Sequence, residues 1–412
     1  MAPESATDRE PALQDVLIVG GGLVGASLAV ALSGRGLAVT LVEAAAPPPS
    51  RPAWDERTIA LNLASEAIFR QLGVWEPIRE AAAPILSTHI GEQGRFGVAR
   101  FSAEQAGYEA LGYNVPVRAI GEALMAAVRA ADDVRLLCPA RVSDLQVHDH
   151  QVSVRIEAAG ESAHELKARL LVAADGAQSV VRKQLGVGAQ ERDYGQSAVL
   201  STVVPARDHR GVAYERFTPE GPVALLPRPQ GQCAVVWTVP HARAEEILAL
   251  SDEAFLSQLQ SAFGRRLGRF EKLGRRSAYP LTRVLSAELT AERVVFAGNA
   301  AQTLHPVAAQ GFNLGLRDVA TLAAQIQPGQ DPGTPEALAI YGNSRRADRH
   351  RVAGFTDHLV RLFSNRIPAL SQLRHLGLLG LDLVPAAKQQ VMRQNLGLAA
   401  DGPWQDHERW PA

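Results

Sequence analysis

The chain of 412 residues carries only two cysteines, Cys138 and Cys233, and they lie far apart. No pair has the spacing of a zinc site or a redox dithiol, so a reducing compartment is the economical expectation. Neither sign of charge is in excess: the formal net charge is −1. Basic residues come only in short clusters such as Arg275-Arg276 and Arg345-Arg346, which read as solvated surface, and nucleic acid is not an expected partner. Long hydrophobic runs are scarce too. Val16 to Gly34 is free of charge, but Gly20-Gly21-Gly22 interrupts it. The residues before it include Glu4, Asp8, Glu10 and Asp15, so the basic start of a signal peptide is missing. A cytoplasmic protein is expected. No metal is expected either: His148-Asp149-His150 sits between two alternating runs and reads as a polar hairpin turn.

What is present is ordinary in bulk and specific in detail. A hydrophobic content of 46% and a charged content of 21% suit a globular protein with two or three domains' worth of core. Val16-Leu-Ile-Val19 has the β-branched apolar character of a buried strand. Gly20-Gly-Gly22-Leu23-Val24-Gly25 then matches G-x-G-x-x-G. Gly20 permits a tight turn, Gly22 lets the backbone approach a pyrophosphate, and Gly25 lets the next helix pack against the strand. That helix, about Leu23 to Ser33, aims its N-terminal N–H groups and positive dipole end at the phosphates. A second strand, Ala38 to Val42, ends at Glu43, placed to accept both hydroxyls of an adenosine ribose. Strand, loop, helix and acid agree on a dinucleotide.

Two later blocks share the pattern of apolar strand, turn and helix start. One is Leu170-Leu-Val-Ala-Ala-Asp175-Gly176-Ala-Gln-Ser179-Val-Val-Arg182. The other is Arg293-Val-Val-Phe-Ala297 followed by Gly298-Asn299-Ala-Ala-Gln-Thr-Leu-His305-Pro306 and, through Gln310-Gly311-Phe312-Asn313, by a helix reaching Asp318.

The three blocks, in this order and spacing, resemble the single-component FAD-dependent aromatic hydroxylases, and within them the ubiquinone-biosynthesis branch. Asp55-Glu-Arg57-Thr-Ile-Ala-Leu61, Tyr194-Gly-Gln-Ser-Ala198, Glu215 to Pro227 and Phe355 to Phe363 carry the resemblance over most of the chain. It implies FAD held by Gly20, Gly22, Leu23, Val24, Gly25, Glu43, Arg57, Arg118, Asp175, Gly176, Arg182, Gly298, Asn299, Pro306, Gln310, Gly311, Phe312 and Asn313. It implies that His305 and Pro306 face the flavin, with no catalytic group identified. His305 as a packed residue that fixes the loop is at least as good a reading. The stretch Gln310–Asn313 opens a helix whose N–H groups would stabilise negative charge on the reduced ring, with Gly311 and Gly315 keeping the backbone bare. Two positions depart from the pattern. Ala309 stands where relatives have Gly, which strains the chain if φ there is positive. Val117 stands where they have a polar residue, and Arg118 is the neighbour that could serve. Asp318 is expected to cap or to pair with an Arg such as Arg57.

The expected fold class is α/β. A Rossmann-like FAD-binding domain (1–86, 108–190 and 286–325) carries an inserted antiparallel-sheet substrate domain (87–107 and 191–285) and a helical C-terminal region (326–412). Strands are expected over Ala198–Val204, Val223–Leu226 and Cys233–Val239, and a helix over Asp252–Phe263. Tyr214, Arg216, Phe217 and Trp237 are candidates for the substrate wall, with plain core packing as the alternative for each. The leucine-rich stretch Ile367 to Ala386 is read as core or dimer packing, or as a face that docks peripherally at the inner membrane surface.

The resemblance implies that NADPH or NADH reduces FAD transiently, that molecular oxygen adds to it as a C4a-hydroperoxide, and that a prenylated phenol ring attacks that oxygen. A phenol titrates near ~10, so a base or acceptor would help, and no motif identifies one. Association with a ubiquinone-biosynthesis complex and a homodimer stay open. So do two other functions, a flavin-dependent reductase acting on a prenyl lipid and a non-catalytic FAD-binding subunit.

Overall fold

The first apolar run becomes the strand Gln14–Val19 because both of its faces find cover. Val16 and Ile18 pack into one cluster with the helix Leu23–Leu32, while Leu17 and Val19 enter a second cluster on the other side. A strand buried on both faces belongs inside a parallel sheet. Here Gln14–Val19 pairs in parallel with Val39–Val42 and with His164–Ala173, which pairs in parallel with Val294–Phe296. The computed structural model describes residues 13–46, 57–95, 97–158, 162–363 and 384–405. Among them this sheet has eight strands, including the hairpin Ala140–His148 and Gln151–Ala158. The turn between these two holds Asp149 and His150, and no cluster of His, Cys, Asp or Glu fit for a metal occurs among the described residues.

A second sheet of nine strands lies beside it, its centre ordered Ala189–Pro205, Cys233–Pro240, Pro222–Pro227, Val212–Phe217. One face is covered by the helices His241–Ala249 and Asp252–Phe263, through a cluster that includes Trp237, Phe255 and Phe263. Two features differ from the expected antiparallel insert. Ser87–Glu92 pairs in parallel with Val212–Phe217, from Ser87 opposite Val212 to Glu92 opposite Phe217. The long excursion between the two segments frees the chain from the antiparallel order that a hairpin imposes. The late motif also contributes a strand: Gln302–Thr303 pairs with the end of Ser277–Ser286, stitching that loop to the second sheet.

The helix Gln310–Gln325 runs back against the glycine-loop helix and is followed by the long helix Pro335–Phe363. The Arg345 part of the expected solvated surface is overturned. Arg345 and Asp318 are each 3% exposed, with Arg345 Nε 2.8 Å from Asp318 Oδ1. Asp348 accepts from Arg317, Arg345 and Arg351. Burial works against the Asp348 carboxylate, yet Arg317 and Arg345 outweigh it and hold the carboxyl well below its ordinary range. Asp318 does pair with an Arg, as expected, but the partner is Arg345 and not Arg57, which is exposed with its guanidinium 5.7 Å from the Tyr279 ring centre. Most of the leucine-rich stretch Ile367–Ala386 lies outside the described residues. No described helix is long and apolar enough to cross a membrane.

Candidate active site

Three turns meet where the parallel sheet ends. The first is the glycine loop. Gly20 has φ +105°, and a Cβ there would meet the Ala174 carbonyl oxygen at 2.5 Å. A Cβ on Gly25 would collide with the Gly20 carbonyl oxygen, so this glycine seats the helix on the strand. Gly22 differs: nothing lies within 4 Å of its would-be Cβ, and it faces open space. The helix it caps has no side-chain cap and no acid in its first turn, so its N–H groups and positive dipole end stay available to an anion. Leu23 and Val24, the next two residues, pack partly into the core. Glu43 reaches this loop, its Oε2 accepting from Gly21 N at 2.6 Å and its Oε1 from Ala45 N at 2.7 Å. Gly21 was not singled out from the sequence. Its missing side chain is what lets Glu43 approach, because a Cβ there would sit 2.7 Å from Glu43 Cβ.

The second turn follows His164–Ala173. Asp175 Oδ2 accepts from Val180 N and Val181 N, and Ser179 caps the short helix Val180–Gln184 through Arg182 N. Gly176 takes φ +87°. Asp175 Oδ1 is buried without a hydrogen-bond partner, an acceptor left beside the glycine loop. Arg182 donates to the carbonyls of Ala300 and Ala177, both at 2.8 Å. Its guanidinium ties the second turn to the third.

The third turn is the late motif. Gly298 has φ +57°, and its Cβ would lie 2.8 Å from Val24 Cγ2. Gly315 meets the same two residues, its Cβ falling 3.1 Å from Gly298 Cα and from Val24 Cγ2. Gly315 therefore serves close packing of two helices and a turn, whereas Gly311 has open space around it and lines a cavity. Asn299 is exposed at this turn. Ala309 adopts φ 49°, ψ 35°, so the residue replacing Gly holds a left-handed conformation that costs about 1–2 kcal/mol in an L-residue. It caps the helix Gln310–Gln325, which has no side-chain cap and no acid in its first turn. Gln310 is buried at that start, and Phe312 lines the cavity. The Asn313 amide is fully engaged. Its Oδ1 accepts from Asn62 N at 3.0 Å and Ser65 Oγ at 2.6 Å, while its Nδ2 donates to the carbonyls of Ala60 and Ala309. It clamps the helix start in place.

His305 is buried and not among the cavity-lining residues. Its Nδ1 accepts from Val307 N at 3.2 Å, and its ring packs edge-on against Tyr194 at 5.0 Å. Burial lowers its pKa to about 4, so it stays neutral. Its neighbour Pro306 does line the cavity. Arg118 is exposed and 2.7 Å from Glu122 one turn along its helix.

The cavity measures about 850 Å³ and lies between this late motif and the second sheet. Its sheet wall follows the two-residue alternation of the strands. Glu215 and Phe217 face inward, as do Ala224 and Val236. Arg216 and Trp237 do not line it. Arg216 donates to the Glu92 carbonyl, and Trp237 packs edge-on against Phe255 at 5.7 Å. The Tyr214 ring also turns to the helix side, edge-on to Phe263 at 5.6 Å. Of the four candidates for the wall, Tyr214 and Phe217 line the cavity, Phe217 with its side chain turned inward and Tyr214 with its ring edge-on to Phe263. Glu215, between Tyr214 and Arg216, was passed over, although a carboxylate flanked at i±2 by Ala213 and Phe217 is the signal that marks it.

The residues fit a dinucleotide with a broad ring: two uncapped helix starts, open space at Gly22 and Gly311, and an orphaned acceptor on Asp175. Comparison with known proteins agrees. The family model for an FAD binding domain matches residues 14–356. Ubiquinone hydroxylase UbiL of Rhodospirillum rubrum is 36% identical over 394 residues, covering 94% of this chain and 91% of its own. The 3-demethoxyubiquinol 3-hydroxylase of Escherichia coli is 32% identical, with 93% and 98% covered. Among solved structures, p-nitrophenol 4-monooxygenase PnpA from Pseudomonas putida shares the fold, with a TM-score of 0.78 at 19% identity, covering 95% of this chain and 99% of its own. From the glycine loop to the long helix, this chain belongs to the FAD binding domain family.

Proposed function

We propose that this protein is an FAD- and NAD(P)H-dependent monooxygenase that hydroxylates the ring of a prenylated phenol in ubiquinone biosynthesis. The observation that carries this reading is the cavity of about 850 Å³, walled by the FAD motif on one side and by apolar sheet residues on the other. It is roomy for one aromatic ring and suited to a ring with a hydrocarbon tail. The names of the relatives, two of them hydroxylases of ubiquinone or its precursors, point the same way.

The chain's own residues divide the work. The glycine loop and its helix start receive a pyrophosphate, and Glu43 lies where a ribose would be held. The helix start at Gln310–Asn313 offers N–H groups to the electron-rich edge of a bound ring, with Gly311 leaving the approach bare. Pro306, Leu304 and Phe312 keep that face apolar and dry. FAD, when bound, supplies the reduced ring at which oxygen is activated. A substrate that dissolves in the bilayer requires peripheral contact with a membrane surface, and a complex or homodimer would bring it there.

The test is direct. The purified protein is denatured and its released nucleotide identified, then given NAD(P)H, isotopically heavy oxygen and a geranylated methoxyphenol. FAD release and one labelled hydroxyl per NAD(P)H oxidised are expected. Product formed equally well without oxygen overturns the hydroxylase reading in favour of a reductase.

A further inference from the structure

Among the described residues that line the cavity, Glu215 is the one with a charged side chain. On the sheet its neighbours are Ala224 across one strand and Ile90 across the other, followed by Val236 and Ala99, all lining the same chamber. Its carboxyl group makes no hydrogen bond or ion pair with any described residue. A carboxylate without a partner in an apolar chamber is costly, and such groups are kept where a ligand supplies the missing donor. The geometry points to Glu215 as the catalytic residue that accepts the hydrogen bond, and then the proton, of the substrate's phenolic hydroxyl. This inference rests on the hydroxylase reading above and names its missing base.

The step balances. As the ring attacks the activated oxygen atom, the phenol O–H bond breaks and its electron pair feeds the ring. The proton moves to a carboxylate oxygen of Glu215. A π pair forms the new C–O bond at a ring carbon while the O–O bond breaks, and the second oxygen atom leaves with the bonding pair, takes up protons and ends as water. That carbon then loses its own proton to water, and Glu215 returns its proton to the ring oxygen, restoring the phenol. Oxygen is the oxidant and ends partly as water, and NAD(P)H supplies the two electrons.

Among the described residues that line the chamber, Tyr214 is the other titratable group, and burial raises its phenol further above the neutral range. Tyr214 turns to Phe263 and His89, and Arg216 to the Glu92 carbonyl, on the reverse face of the sheet. The other surrounding elements present Thr58, Pro306, Phe312, Phe355, Met392 and Asn395, all uncharged. Burial alone pushes the Glu215 carboxyl up to about 7. As a base it must be ionised, so activity should fall as the pH drops below about 7.

Two variants and two readouts decide the matter. In Glu215→Gln, FAD content should be unchanged, turnover of a geranylated phenol should fall roughly 100-fold or more, and the acid limb of the pH profile should vanish. A fluorinated, more acidic phenol should recover part of the lost rate. Binding is read separately, by titrating a geranylated phenol and its methyl ether. The parent should prefer the phenol by about tenfold, and Glu215→Leu should bind both alike. An unchanged preference in Glu215→Leu, or an intact acid limb in Glu215→Gln, overturns the assignment. A parent that shows the binding preference yet never hydroxylates leaves Glu215 as the phenol acceptor and sinks the hydroxylase reading instead.

Discussion

The two walls of the cavity are built on different principles. The motif wall, Leu304 to Asn313, is mostly backbone: a bare Gly311, a strained Ala309, and an amide on Asn313 spent wholly on holding the helix start. The sheet wall is mostly side chain, and strand register decides which residues belong to it. On the first wall a single added carbon is the relevant perturbation. On the second the relevant question is parity, since neighbouring residues such as Glu215 and Arg216 face opposite layers. A backbone wall suits a cofactor whose shape never changes, and a side-chain wall is free to be fitted to one substrate.

The largest expected effect tests the backbone principle. Gly22→Val should give folded but colourless protein, because its Cβ enters open space rather than the core. Flavin absorbance and a thermal melt measured together check this, and a yellow variant would contradict it. Next comes the support behind that wall. Asp348→Ala strands the Arg317 guanidinium, leaves Arg345 with Asp318 alone, and should cost about 3–5 kcal/mol in denaturant unfolding. A loss below about 1 kcal/mol would place the cluster in effective contact with water. Third, parity is tested by a pair. Ala224→Phe should weaken binding of a geranylated phenol by about tenfold, as overpacking costs of about 1–3 kcal/mol imply, while FAD is retained. Trp237→Phe, on the reverse face, should alter stability and leave that affinity alone. If both variants change affinity equally, the alternation is misplaced. The smallest effect concerns strain. Ala309→Gly should raise stability by about 0.5–1 kcal/mol, the relief of a left-handed φ partly offset by a freer unfolded chain.

Sequence reading was strongest where backbone, not side chain, shapes the site. Gly20, Gly22 and Gly25 announce themselves because a glycine pattern is the chemical imprint of a backbone that must come close or turn left. The strands and the helix Asp252–Phe263 were equally plain, since period two and the N-terminal Ser251 cap are local signals. Ala309 shows how far the reasoning reaches: its departure raised the question of a positive φ, and the structure has φ 49°. What stayed hidden depends on partners distant in the chain. Arg345 looked like surface because Asp318 and Asp348 complete it only after two helices pack. Arg216 and Trp237 looked like substrate contacts because aromatic and cationic residues attract attention, while the face they occupy is set by the register of a sheet that includes Ser87–Glu92. Glu215 was legible only to a reader who knew which layer was hollow.

Asp318 joins three pieces of the protein at one carboxylate: the turn at Gly298, the Gln302 strand and, through Arg345, the long helix. The outer helix and the flavin turn therefore share a free energy. Whatever favours the seated helix would tighten binding at the Gly298 turn, and binding at that turn would hold the helix more firmly, by the same factor in both directions.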